Sequence, residues 1–138
     1  MFFEAVPSPH FFSTEHEQFR DALRAFVSKE ITPFVHAWDE AGGFPRELYK
    51  KAGELGVLGV GFPEQYGGTP GDEFYKIIAG EEIARAGSGG VSAALYSHGI
   101  GLPPILAAGS EDLKQRVVPP VLAGEKISAL AISEPSGG

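Results

Sequence analysis

The sequence predicts an all-α domain that ends in one β-strand. Three observations carry this reading. Apolar residues recur at steps of three and four along most of the chain, and Gly and Pro punctuate them at helix-like intervals. After Lys126 the texture changes to a short apolar run without helical caps. The helical part is residues 1–125, and the strand with its turn is residues 126–138.

Residues 1–12, which include Pro7 and Pro9, read as an extended lead-in. Thr14-Glu-His-Glu17 has capping-box spacing, in which the hydroxyl accepts from the third residue's N–H and the Glu reaches back. Behind it, Phe19, Leu23, Phe26, Val27 and Ile31 form one apolar helical face. Pro33 breaks or restarts the helix, because it has no N–H to donate and restricts the residue before it. A short second helix through Phe34, Val35 and Trp38 ends at Gly42-Gly43. Phe44-Pro45 starts a third with Pro at the first helical position. Its face is Leu48, Tyr49, Ala52 and Leu55, and Gly56 ends it in a left-handed conformation.

Val57 to Gly68 reads as a loop punctuated by Gly and Pro. Helix resumes after Asp72 with Phe74, Ile77, Ile78 and Ile83 apolar, and Gly87 to Gly90 interrupts it. Val91–Ile100 is a small-residue helix with few charges, so most of its circumference is expected to be buried. Pro103-Pro104 marks a kink or a new start, and Ala108-Gly109 an end. Ser110 caps a last helix through Leu113, Val117 and Val118, whose end Pro119-Pro120 and Gly124 make irregular. The segment Ile127-Ser-Ala-Leu-Ala-Ile-Ser133 then reads as a strand buried on both faces. A lone strand is not stable and nothing upstream supplies partners, so the protein is expected to continue past Gly138.

Hydrophobic residues make up 43% of the chain and charged residues 21%, an ordinary globular balance. The absence of cysteine excludes disulfides and thiolate-ligated metals. Eighteen acidic against 11 basic side chains give a net charge of −7, and such a surface repels phosphate backbones. No apolar stretch is expected to span a membrane, and the first residues lack the basic and apolar regions of a signal peptide. The expectation is a soluble, cytoplasmic protein without nucleic-acid partners.

Most small motifs carry no chemistry. Gly59-Val-Gly61 and Gly99-Ile-Gly101 are incomplete dinucleotide fingerprints. His10, His16, His36 and His98 lack metal-ligand spacing, so solvated or hydrogen-bonded roles are expected and no metal site. Ser97 and His98 are sequence neighbours on a helix and do not form a nucleophile–base pair. Glu81 and Glu82 are read as solvated or salt-bridged, with Arg85 a candidate partner.

The terminal segment differs. A buried strand breaking into Ser133-Glu-Pro-Ser-Gly-Gly138 presents a hydroxyl and free backbone N–H groups, and glycine there permits close approach of a flat or phosphorylated ligand. By spacing alone, the same residues also read as a plain strand-to-loop turn.

Three blocks in order resemble the acyl-CoA dehydrogenase family across residues 13–138. The first is Gly56-Val-Leu-Gly with Pro63-Glu-Gln-Tyr-Gly-Gly68 and Glu81-Glu-Ile-Ala-Arg. The second is Ser97-His-Gly-Ile-Gly with Pro104-Ile-Leu-Ala-Ala-Gly109. The third is Pro119-Pro-Val-Leu-Ala-Gly-Glu125 leading into Ala129-Leu-Ala-Ile-Ser-Glu-Pro-Ser-Gly-Gly138. Ser133 stands where the family usually has Thr and keeps the donor.

The resemblance implies an N-terminal helical domain joined to a truncated middle β-domain, in an FAD-dependent enzyme of fatty acid metabolism. That enzyme dehydrogenates an acyl-CoA thioester between its α and β carbons. It implies flavin contacts at Leu130, Ile132, Ser133 and Gly138, with Ile132 and Gly138 acting chiefly through backbone. It implies acyl-pocket wall positions at Ser92, Tyr96 and Ile100, which also follow the i, i+4, i+8 spacing of ordinary helix packing. The family's glutamate base belongs to a C-terminal domain, so no catalytic residue is assigned here and the chain alone is expected to be inactive. Electron-transfer flavoprotein is the implied acceptor, and a homotetramer or homodimer the implied assembly. The alternatives are an oxygen-using relative (acyl-CoA oxidase, nitroalkane oxidase or flavin monooxygenase) and a cofactor-free helical binding module.

Overall fold

The computed structural model describes residues 10–137, and within them the fold is helical with no sheet. Helix α1 spans Thr14–Phe26, and its cap lies one residue before the expected box. Ser13 Oγ accepts from His16 N (3.4 Å), while the Ser13 N–H donates to His16 Nδ1 (2.9 Å). The ring nitrogen replaces the carboxylate that the Thr14–Glu17 spacing favoured.

Helix α1 does not stop at Phe26 but widens into a π-turn over Val27–Ile31, closed by Thr32 N donating to Val27 O (2.9 Å). Leu23, Val27 and Ile31 are all buried across this change of pitch. Pro33 ends the run as expected, and α2 (Val35–Ala41) finishes at Gly42, whose φ is 72°.

Helix α3 covers Glu47–Glu54, starting two residues past Pro45, and Gly56 follows it at φ 82°. The expected loop contains two short 3-10 turns, Val57–Gly59 and Glu64–Tyr66, joined by an isolated bridge between Val60 and Thr69. Helix α4 (Glu73–Ala84) is capped by Asp72, which accepts from Phe74 N (2.9 Å). Then come α5 (Gly89–Leu95), α6 (His98–Ala108) and α7 (Glu111–Leu122), the last capped by Ser110.

The proline pairs sit inside helices, and α7 has the irregular end expected of it just beyond its pair. Pro103-Pro104 lies inside α6 and Pro119-Pro120 inside α7, and neither ends its helix. In α6 the carbonyls that lose i+4 donors belong to the exposed residues Gly99 and Ile100, which solvent can reach. In α7 the Pro120 carbonyl accepts from both Glu125 N and Lys126 N (2.9 Å each), which turns the chain out of the helix.

The core has two parts. The larger packs Leu23, Val27 and Ile31 of α1 and its π-turn against Leu48 and Ala52 of α3, Ala79 and Ile83 of α4, and Val91 and Leu95 of α5. The smaller holds Tyr66, Leu102, Val118, Val121 and Leu122. Each buried Leu, Ile or Val contributes about 1.5–3 kcal/mol.

Between α1 and α4 runs a charged seam. Glu82 is 1% exposed and accepts from Arg24 Nε (3.0 Å) and Nη2 (2.7 Å) and from Arg20 Nη1 (3.3 Å). Arg85 Nε lies 3.5 Å from the same carboxylate, the pairing the sequence offered. Arg20, itself buried, also bonds Glu81 Oε2 at 2.6 Å. Burial pushes the Glu82 carboxyl up, but Arg24, then Arg20 and Arg85, more than reverse it and hold it below the usual carboxylate range.

Two expectations need correction. Residues 127–133 form no strand, because a strand is defined by its ladder and the described residues give this segment none. The expectation of no membrane-length apolar stretch also fails. Gly89–Ala108 is 20 residues long and apolar enough to span a bilayer by length and composition. In this fold the stretch is divided at Tyr96-Ser97, and Val91, Leu95, His98 and Leu102 pack inward.

Candidate functional site

The division between α5 and α6 shapes the site. Ser88 caps α5 by accepting from Val91 N (3.3 Å), and the helix stops at Leu95 because Tyr96 relaxes to φ −102°, ψ 9°. Helix α6 restarts at His98, so Ser92, Tyr96 and Ile100 do not share one face. Ser92 Oγ donates to Ser88 O (3.1 Å) within its own helix, and Ile100 is 64% exposed on α6. Of the three, Tyr96 alone lines the cleft described next.

That cleft, about 680 Å³, opens between residues 57–63, α4 and α6. Val57, Leu58, Val60, Phe62, Ala79 and Leu106 give it apolar walls, and Lys76, Tyr96 and His98 add polar groups. It has the size and the apolar lining with few polar groups that small-molecule sites share. Lys76 Nζ bonds Glu73 Oε1 (2.8 Å), and its side chain lies across Gly61, where an added β-carbon would fall 1.9 Å from Lys76 Cε. The sequence assigned no site role to Lys76 or residues 57–63. They reach the cleft from separate elements, and the closest sequence signal is the glycine-rich run around Gly59 and Gly61.

The Tyr96 hydroxyl is buried without a hydrogen-bond partner, and burial pushes its pKa well above the ordinary tyrosine value. An unpaired buried hydroxyl costs about 1–3 kcal/mol. Tyr96→Phe is therefore expected to raise stability, toward the lower end of that range. A urea midpoint for the variant below that of the parent would show that the hydroxyl is paired in solution.

The terminal segment is anchored to the same division. Ser97 Oγ donates to Ser128 O (2.7 Å), and Gly101 leaves room for Ser128, whose Oγ would lie 2.1 Å from a β-carbon there. Beyond this anchor Leu130 is 47% and Ile132 77% exposed, and Ser133 is exposed as well. Glu134–Gly137 closes a turn through Gly137 N donating to Glu134 O (2.9 Å). Ile132, Ser133, Glu134 and Gly137 line a shallow open hollow. Exposed apolar side chains, a hydroxyl and unpaired backbone fit one edge of a flat cofactor. Gly138 lies outside the described residues.

Residues 13–125 match the family described as acyl-CoA dehydrogenase, N-terminal domain. The chain is 39% identical over 127 residues to the mitochondrial long-chain specific acyl-CoA dehydrogenase of Sus scrofa, covering 92% of this chain and 29% of that one. Its fold is similar to the crystal structure of a putative acyl-CoA dehydrogenase from Mycobacterium smegmatis. There the TM-score is 0.86 at 48% identity, over 94% of this chain and 34% of the other. An acyl-CoA dehydrogenase from Bacillus anthracis, solved in complex with FAD, gives a TM-score of 0.78 at 35% identity, over 96% and 23%. The chain thus spans about a third or less of the length of these relatives.

Proposed function

Because the chain belongs to the acyl-CoA dehydrogenase family, we propose that it supplies one wall of an acyl-CoA site and one edge of a flavin site in an FAD-dependent dehydrogenase. The observation that carries this is the anchoring of Ser128 on Ser97, which joins the exposed Leu130–Ser133 segment to the division where Tyr96 faces the cleft. On this reading Leu130, Ile132, Ser133 and Gly138 hold the isoalloxazine edge, with Ser133 donating its hydroxyl. Tyr96 limits the acyl space, and the family resemblance adds Ser92 and Ile100 as wall positions outside the cleft that Tyr96 lines. Residues 126–138 open the middle domain, and residues 1–125 are the helical domain before it. Bound FAD supplies the hydride acceptor for α,β-dehydrogenation.

The proton chemistry lies outside these residues, so the 138-residue chain is expected to be inactive and to bind FAD weakly. The proposal also takes electron-transfer flavoprotein as acceptor, a cytoplasmic location and a homotetrameric or homodimeric assembly. The test is to express the reading frame containing this domain at the length of its relatives and record the absorption spectrum. A flavin band that an acyl-CoA bleaches without oxygen is expected. A colourless protein, or a flavin that no acyl-CoA reduces, would overturn the proposal.

A further inference from the structure

His98 is buried at the start of α6, and both nitrogens of its ring meet main-chain carbonyls. Nδ1 lies 3.0 Å from Leu95 O, and Nε2 lies 2.8 Å from Leu58 O. A carbonyl can only accept. A neutral imidazole has one N–H and one lone pair, so it completes one of these bonds and turns its lone pair on the other oxygen. The imidazolium completes both. We infer that His98 is a proton-operated clamp on the cleft wall, tying the Val57–Gly59 turn to the end of α5 by one bond when neutral and by two when protonated.

The surroundings leave this choice to the ring and its two carbonyls. Residues 57–63, α5 and α6 carry no Asp, Glu, Lys or Arg. The Phe62 ring lies 5.5 Å and the Tyr96 ring 6.2 Å from the imidazole, and the Tyr96 phenol stays neutral. On α4, Lys76 lines the cleft bonded to Glu73, while Glu81 and Glu82 are engaged by arginines. Burial lowers the His98 pKa below the ordinary 6.5, and the carbonyls of Leu58 and Leu95 act against it without reversing it.

The second bond therefore closes only on the acid side of the usual histidine range. The sign for stability follows from the same shift. As pH falls through 6.5 the unfolded chain takes up the proton first, so stability declines until the folded ring is protonated too. The neutral ring leaves one carbonyl unpaired, either on the turn or at the end of α5. Both bonds run to main-chain carbonyls, so the clamp does not rest on the functional proposal above.

The test is an NMR titration of the 13C,15N-labelled 138-residue chain, following the His98 ring nitrogens with the Leu58 and Leu95 carbonyl carbons. A single neutral tautomer is expected at mildly alkaline pH. On acidification both ring nitrogens should become protonated, and one of the two carbonyls should move downfield in step while the other holds. Carbonyl shifts that both ignore the ring's titration would overturn the inference. So would a ring already doubly protonated at alkaline pH, or a chain that unfolds before the ring takes its second proton.

Discussion

Glu82→Gln is expected to lower the stability of this domain by about 3–5 kcal/mol, the usual cost of removing one partner from a buried ion pair. Arg20, whose side chain is 5% exposed, would keep Glu81, Glu17 and the Phe12 ring, while Arg24 would lose the two closest bonds made to Glu82. Arg24 and Arg85 are more than a third exposed, so water screens their share. The difference should depend on pH in a defined direction. The folded Glu82 carboxyl is held below its ordinary 4.5, so its contribution is complete above that value and fades as pH falls through the folded pKa. Urea unfolding of parent and variant should show a wide gap at neutral pH that narrows in acid. A gap under about 1 kcal/mol at neutral pH would place the seam among ordinary surface pairs.

Gly124→Ala is the second large effect. Gly124 follows α7 at φ 73°, and a β-carbon there would lie 2.0 Å from the Tyr49 carbonyl oxygen and 2.7 Å from Lys50 N, both of them backbone atoms. The left-handed conformation costs about 1–2 kcal/mol. Overpacking against a neighbouring helix adds about 1–3 kcal/mol. Gly87 provides the control, since its φ is 80° and nothing lies within 4 Å of the added carbon. Gly87→Ala should therefore show the conformational cost alone. Equal losses in thermal unfolding for the two variants would mean that α3 and the end of α7 do not approach as closely as described.

Where local chemistry sets an element, the sequence was readable. Asp72 and Ser110 cap the helices expected of them, and Gly42 and Gly56 end theirs with positive φ. The face of Leu23, Val27 and Ile31 is buried as its spacing indicated. Where distant residues decide, it was not readable. Nothing near Glu82 announces Arg20 and Arg24, which reach it from another helix. The division after Leu95 has no Gly or Pro at positions 96–97 to mark it, so the spacing of Ser92, Tyr96 and Ile100 suggested a continuous face. The cleft draws on residues 57–63, α4 and α6, and only Tyr96 among its lining was read from the sequence as a site residue. The anchor at Ser128 had a faint signal in Gly101, a glycine in an apolar helix with no turn to explain it.

The π-turn at Val27–Ile31 has a consequence for how this domain tolerates change in length. A regular α-helix advances about 100° per residue. Deleting a residue from a regular helix would swing everything downstream by roughly that angle, whereas deleting one from the wide turn restores ordinary pitch and leaves Pro33 and α2 close to their present heading. Trp38 and Phe44, whose rings lie 5.7 Å apart against the larger core, would then keep their places. The wide turn thus acts as a buffer: it stores one residue of slack while the chain that follows keeps its heading.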